Sequence, residues 1–311
     1  MLIPVVTLTE SLLCMVLISP CAGVSSIVFA GTPRSSLPLA QIVDQACQEA
    51  ETYRDAGVDG LIIENMHDLP YTVCPGPEIT AAMTVISAAV KRTCPRLPLG
   101  VQILCAANQQ AIAVALATGL DFIRAEGFVF SHVADEGIIN ACAGNLLRYR
   151  KQIGAENIQI FADIKKKHSA HALTADVSVA ETARAAELFL ADGVVLTGTA
   201  TALPADPQEL KEVKHAVKIP VLIGSGVTLE NVRNYLEANA LIIDHFFPNG
   251  KRGPGPQIRL GVQRATRWSH PCNKSCLEDN LLHVLLYEEQ DFCLCFYPVL
   301  TECLVRICGV E

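Results

Sequence analysis

Five short polar clusters interrupt an otherwise apolar chain, and their residue types suit chemistry on a small molecule. The first is Glu64-Asn65-Met66-His67-Asp68, which packs two carboxylates, an amide and an imidazole into five positions. Glu64, Asn65 and Asp68 are therefore candidates for proton transfer and substrate orientation, against a plain turn capped by Asp68. The second holds Arg124 and Glu126, with Asp135 further along the same loop. Arg124 suits a two-point clamp on a phosphate or carboxylate, or it pairs with Glu126, and Asp135 would help position the substrate. In the third, Asp163 precedes Lys165-Lys166-Lys167-His168. Asp163, Lys167 and His168 are candidate catalytic groups, and a lysine with lowered pKa would be a Schiff-base nucleophile. The fourth, Thr197-Gly198-Thr199, is small and rich in hydroxyls. The fifth, Gly224-Ser225-Gly226, follows an aliphatic run and precedes a helical pattern opening at Thr228. Gly198, Gly224, Ser225 and Gly226 would let the backbone approach a phosphate, with the N-terminus of a helix over residues 228–237 adding its dipole.

These clusters need a scaffold that brings strand ends together. Helical periodicity is expected over residues 39–56, 78–91, 109–117, 138–152, 179–190 and 207–217. Short apolar strands alternate with them at 58–64, 98–104, 121–125, 158–164, 193–197, 219–223 and 240–243. Such alternation with short links predicts parallel strands and right-handed crossovers. Eight strands favour an α/β (β/α)8 barrel, whose sites lie where the strands end. No Gly-x-Gly-x-x-Gly opens the second element, which counts against a dinucleotide fold.

The ends depart from this regularity. The apolar run at residues 12–18 is too short to span a membrane, and no Lys or Arg precedes Arg34. It reads as part of an atypical extension over residues 1–25, with a secretory leader as the alternative, and residues 26–30 stand in for the first strand. The barrel is then expected over residues 26–243. Beyond it, Pro/Gly-rich residues 247–256 and the Cys-rich stretch 281–311 form an irregular tail over 244–311.

Half of the 311 residues are hydrophobic and only 18% are charged, so a large core can be buried. The net charge of −8 comes without a basic stripe interleaved with aromatics, which speaks against nucleic acid as a partner. Cys47, Cys74, Cys94, Cys105 and Cys142 are widely spaced and read as reduced thiols of a cytoplasmic protein. Cys272, Cys276, His270 and His283 fit no common zinc-finger spacing, so no metal is expected. No cofactor is singled out, no transmembrane segment is expected, and a homo-oligomer is compatible with the sequence.

The strand-end motifs, taken together, resemble a known family. Gly31-Thr32-Pro33, the run from Asp59 to Pro70, Phe161-Ala162-Asp163-Ile164 with Lys167-His168, Leu196-Thr197-Gly198, and Gly224-Ser225-Gly226-Val227-Thr228-Leu229-Glu230-Asn231 arrive in the order of the BtpA family. The resemblance covers residues 31–243 and implies a barrel of the ribulose-phosphate-binding type. It also departs from the family at both ends. The family's strand-1 histidine is missing, and Asp244-His245-Phe246 replaces a glycine-serine loop, so an atypical strand 1 and a disrupted strand 8 and closing helix are expected. The family name, from photosystem I biogenesis, implies a non-catalytic assembly or stability factor as the alternative to an enzyme. The leading expectation is a barrel that binds a small phosphorylated metabolite, a sugar or nucleotide phosphate, and does acid–base chemistry on it.

Overall fold

A computed structural model describes residues 13–18, 33, 37–200, 203–228 and 230–243, with the strands Arg259–Val262 and Val284–Tyr287; for the strand at 13–18 and these last two it describes the backbone. In chain order the elements are β1 (Leu13–Ile18), α1 (Leu39–Ala56), β2 (Gly60–Glu64), α2 (Pro77–Thr93), β3 (Leu99–Gln102), α3 (Asn108–Thr118) and β4 (Phe122–Ala125). Then follow β5 (His132–Ala134), β6 (Gly137–Ile139), α4 (Ala143–Gln152), β7 (Gln159–Ile164), β8 (Ser169–Ala170) and α5 (Val179–Leu188). The last are β9 (Gly193–Leu196), α6 (Pro207–Ala216), β10 (Val221–Ile223), β11 (Ala240–Ile243), β12 (Arg259–Val262) and β13 (Val284–Tyr287).

Eight strands close a parallel barrel in the order β1-β2-β3-β4-β7-β9-β10-β11. The ring closes between β1 and β11, where Leu13 stands opposite Ala240 and Val16 opposite Ile243. Two expectations change here. The apolar run assigned to an extension or a leader forms the first strand, hydrogen-bonded to β2 on one side and β11 on the other. The eighth strand, expected to be disrupted, pairs with both β10 and β1. Residues 26–30, the closing helix, the Cys/His group at 270–283 and the Cys-rich stretch lie outside the described residues, apart from the antiparallel pairing of β12 with β13.

Alternation along the strands sorts the side chains into two cores. Leu61, Ile63, Leu99, Val101, Ile123, Ile160, Ala162, Val194, Leu196, Val221 and Ile223 face outward into one cluster with the helices, including Ile42, Met83, Ile86, Ile112 and Leu210. Ile62, Phe122, Phe161, Val195, Leu222, Ala240 and Ile242 form a second cluster inside the barrel. Phe122 and Phe161 meet edge to face, with centroids 5.3 Å apart. Neighbouring strands leave room for these rings by carrying glycine: a Cβ on Gly100 would lie 2.1 Å from Phe122, and one on Gly193 would lie 2.5 Å from Phe161.

Two predicted helices take other forms. Residues 138–141 do not start α4, because Gly137 at φ +109° turns a hairpin and the β-branched Ile138 and Ile139 continue it as β6. With β8 this hairpin makes a three-stranded flap, β6-β5-β8. After β10 the described residues form a 3-10 turn, at Val232–Tyr235. Just before it the Asn231 side-chain oxygen accepts from the Thr228 backbone N–H at 2.7 Å while its amide donates to the Gly226 carbonyl at 2.8 Å. Among the described residues this four-residue turn stands where a helix was expected behind Gly224-Ser225-Gly226.

Candidate active site at the barrel mouth

The inward positions change character along the barrel axis. Two residues beyond the apolar layer of Ile62, Phe122, Phe161 and Val195 come Glu64, Arg124, Asp163 and Thr197, all buried. Gln102 ends β3 beside Glu64 in register. The period of two thus lifts a polar layer onto the apolar one at the C-terminal ends of the strands, where barrels of this architecture hold their sites.

Arg124 does not pair with Glu126. Its guanidinium grips Asp163 on the neighbouring strand through bonds of 2.8 and 3.1 Å, with the two side chains only 4% and 2% exposed. Burial works against the Arg124 charge, but the Asp163 and Glu64 carboxylates outweigh it and raise its pKa. Glu126 instead accepts from Lys166 Nζ at 3.1 Å and from the Ala106 backbone N–H at 2.9 Å. Its own carbonyl accepts from Asn108 at 2.7 Å. Asn65 ties the loop after β2 to the loop after β3: its oxygen accepts from the Leu104 backbone N–H at 2.7 Å and its amide donates to Asp68 at 2.9 Å.

The lysine at the site is Lys166. Asp163 faces inward, so simple alternation would send Lys165 and Lys167 in after it. Lys165 adopts φ +44°, which breaks the alternation and turns Lys166 into the barrel mouth, 8% exposed. Burial lowers its pKa, but Glu126 more than compensates and the net shift is upward. A lysine held as ammonium is an electrostatic stabiliser rather than a Schiff-base nucleophile. Lys167 stays half-buried, its backbone N–H donating to Thr197 Oγ1 at 3.0 Å. His168 is exposed with φ +56°, and Asp135 is exposed at the tip of the β5–β6 hairpin. These last two are not brought to the polar layer.

The glycine turn is only partly open to a ligand. A Cβ on Gly198 would meet the Leu203 carbonyl oxygen at 2.2 Å, and one on Gly226 would meet Leu203 carbon at 2.4 Å. Those two glycines answer to the chain's own backbone, and Ser225 Oγ donates to the Leu203 carbonyl at 2.9 Å. Gly224 meets side chains rather than backbone: a Cβ there would lie 2.7 Å from Val195 Cγ1, 3.4 Å from Thr197 Cγ2 and 3.5 Å from Arg124 Nη2. Backbone and guanidinium therefore adjoin there.

Sequence reasoning passed over His132. It starts β5, lies 5% exposed, and shares a cavity with Asp163, Lys166 and His171. A lone histidine in an expected helix-and-loop region carried no signal. Among the described residues no group of three or more His, Cys, Asp or Glu side chains is arranged to hold a metal ion. Cys47, Cys74, Cys94, Cys105 and Cys142 are free thiols, and burial pushes Cys105 up to about 12, out of the range of a reactive thiolate.

A closed parallel (β/α)8 barrel with ionised side chains buried at its C-terminal mouth has the layout of the barrel enzymes. Residues 9–253 match the BtpA family, and the chain belongs to it. A Caenorhabditis elegans relative, described as uncharacterized and mitochondrial, is 50% identical over 71% of this chain and 81% of its own length. An Archaeoglobus fulgidus relative is 36% identical over 76% of this chain and 93% of its own. The photosystem I biogenesis protein BtpA of Synechocystis is 33% identical over 66% and 71%. Among solved structures, the orotidine 5'-monophosphate decarboxylase of Methanocaldococcus jannaschii aligns with a TM-score of 0.48 at 17% identity, covering 76% of this chain and 89% of that one. Among the described residues no helix is long and apolar enough to cross a membrane.

Proposed function

We propose that this BtpA-family barrel binds a small phosphorylated metabolite at its mouth and does acid–base chemistry on it. The observation that carries the reading is the buried polar layer. Glu64, Asp68, Glu126 and Asp163 share the mouth with Arg124 and Lys166, all less than a tenth exposed. Buried ion pairs stabilise a fold less than apolar packing of the same volume would, so a polar mouth suits a ligand better than it suits stability alone.

The charges divide the ligand. Gly224 and Arg124 offer a backbone edge and a cation to the phosphate. Further in, the mouth is rich in carboxylates, and carboxylates suit hydroxyl groups, as in a sugar phosphate. Glu64 and Asp163 would act as bases there, with Asn65 and Asp68 positioning the loop and the Lys166 ammonium stabilising developing negative charge. Glu126 would hold Lys166 in place. Lys167 and His168 stand at the rim, where they would meet the ligand only after the loop moves, and the same holds for Asp135. Gly198, Ser225 and Gly226 would shape the turn. The barrel and its free thiols suit the cytoplasm, although the worm relative is described as mitochondrial.

The test is a thermal-shift screen of sugar phosphates, nucleotides and inorganic phosphate. A ligand at about 100 times Kd should add about 2.7 kcal/mol. No shift with any of them would overturn the reading.

A second reading, a non-catalytic assembly factor, draws on one observation. Leu188, Phe189 and Leu190 at the end of α5 are 76%, 50% and 67% exposed, an apolar patch suited to a partner protein. Under that reading the polar layer is structural and the phosphate screen stays silent.

A further inference from the structure

His132 leaves a nitrogen unused. Its Nε2 is buried and meets no hydrogen-bond partner among the described residues, and the residue as a whole is 5% exposed. The Phe130 backbone beside the ring favours a ring proton. With that proton on Nδ1, Nε2 of the neutral ring is a lone-pair acceptor. Neutrality is enforced: burial first, then the Lys166 ammonium and His171, push the ring down to about 4. His171 stands 5.4 Å away, centroid to centroid, and is itself held by Nε2 on the Lys166 carbonyl at 3.0 Å. The imidazole therefore lies buried and neutral, lining the cavity, with Nε2 left to accept.

An unpaired buried acceptor costs about 1–3 kcal/mol, and native structures keep one where a water, an ion or a ligand completes it. The cavity lies between the flap and the strand exits, walled by Ser131, His171 and Thr174 on one side and Asp163 and Lys166 on the other. Lys166 repels a metal cation. What remains is an oxygen that donates, either water or a ligand hydroxyl. Asp163 decides how a ligand would reach it. The carboxylate walls this cavity and also grips Arg124, which lies against Gly224. A molecule with its phosphate at Gly224 would pass over Asp163 toward His132.

We propose that His132 Nε2 accepts a hydrogen bond from a substrate hydroxyl, so that the site selects phosphate monoesters of polyols over phosphate itself. The proposal rests on the phosphometabolite reading and names the substrate class for that same site. No bond to carbon or phosphorus changes in this contact; His132 confers specificity.

The test is titration calorimetry with ribose 5-phosphate and inorganic phosphate as paired probes, on the wild type, His132→Phe and His132→Gln. The wild type should prefer ribose 5-phosphate by roughly tenfold or more, the discrimination expected when a buried acceptor loses its donor. His132→Phe should remove that preference and leave inorganic phosphate binding unchanged, while His132→Gln, which keeps an acceptor, should restore part of it. A preference retained in His132→Phe would overturn the proposal and leave the phosphate reading standing. Absence of binding by either probe to the wild type would overturn both. If His132→Phe does not fold, the ring 15N resonances of the wild type decide. A shift of Nε2 on adding ribose 5-phosphate but not inorganic phosphate supports the contact, and an unmoved resonance overturns it.

Discussion

Arg124 and Asp163 face each other across neighbouring strands and exchange two hydrogen bonds, 2.8 and 3.1 Å, inside the barrel. Each charge is tolerated there only because the other is present. Removing one alone, as in Asp163→Ala or Arg124→Ala, should cost about 3–5 kcal/mol in urea unfolding. Replacing both, as in Arg124→Met with Asp163→Leu, should recover most of that loss. Single variants as stable as the wild type would show that the pair is solvated.

The glycines of the lower barrel predict a different pattern. Alanine at Gly100 would drive its Cβ to 2.1 Å from the Phe122 ring. The expected cost is about 1–3 kcal/mol, as for other overpacked cores. Trimming the ring, Gly100→Ala with Phe122→Leu, should return part of it in the same unfolding measurement. Additive losses would argue against the contact.

These two cases mark what was legible in the sequence. Strands such as Gly60–Glu64 and Phe122–Ala125 run apolar until polar residues appear near their exits, so Glu64, Arg124 and Asp163 could be named in advance. The run at Leu13–Ile18 carries no alternation, and a uniformly apolar stretch of that length reads equally as a buried parallel strand or a leader. Lys166 was hidden for a geometric reason. The positive φ at Lys165 shifts the inward position by one, and three adjacent lysines give no sign of where that happens. His132 lay in what reads as a long loop after Glu126, and only the far end of its hairpin, from Ile138, fell in the expected helix.

The first strand can be tested through its backbone. Val16 stands opposite Ile243 on one side and Leu61 on the other. Proline there removes a ladder donor in a strand paired on both sides, with an expected cost of about 3 kcal/mol or more. Val16→Pro should therefore lower the urea midpoint sharply. An unchanged midpoint would mean that residues 13–18 do not close the barrel.

His132 predicts an acid limb in stability. Its folded pKa, about 4, lies below the ordinary 6.5, so the unfolded chain binds more protons between those values. Stability from this group is complete above about pH 6.5 and is lost as pH falls toward 4, by up to about 3 kcal/mol. Asp163, Lys165, Lys166 and His171 face the same cavity, so the comparison is with His132→Phe, in which that component of the slope between pH 6.5 and 4 should vanish. Equal slopes in the two proteins would contradict a buried neutral imidazole.

The central claim, a phosphate held where Gly224 adjoins Arg124, is tested most directly by titrating ribose 5-phosphate into the wild type and Gly224→Asp by calorimetry. A carboxylate at this position would sit beside the phosphate and repel it; its Cβ would also press to 2.7 Å on buried Val195, so the variant's urea unfolding is followed alongside. The account predicts saturable binding to the wild type and none to a Gly224→Asp protein that still unfolds cooperatively in urea. Equal affinity in the two proteins would contradict it.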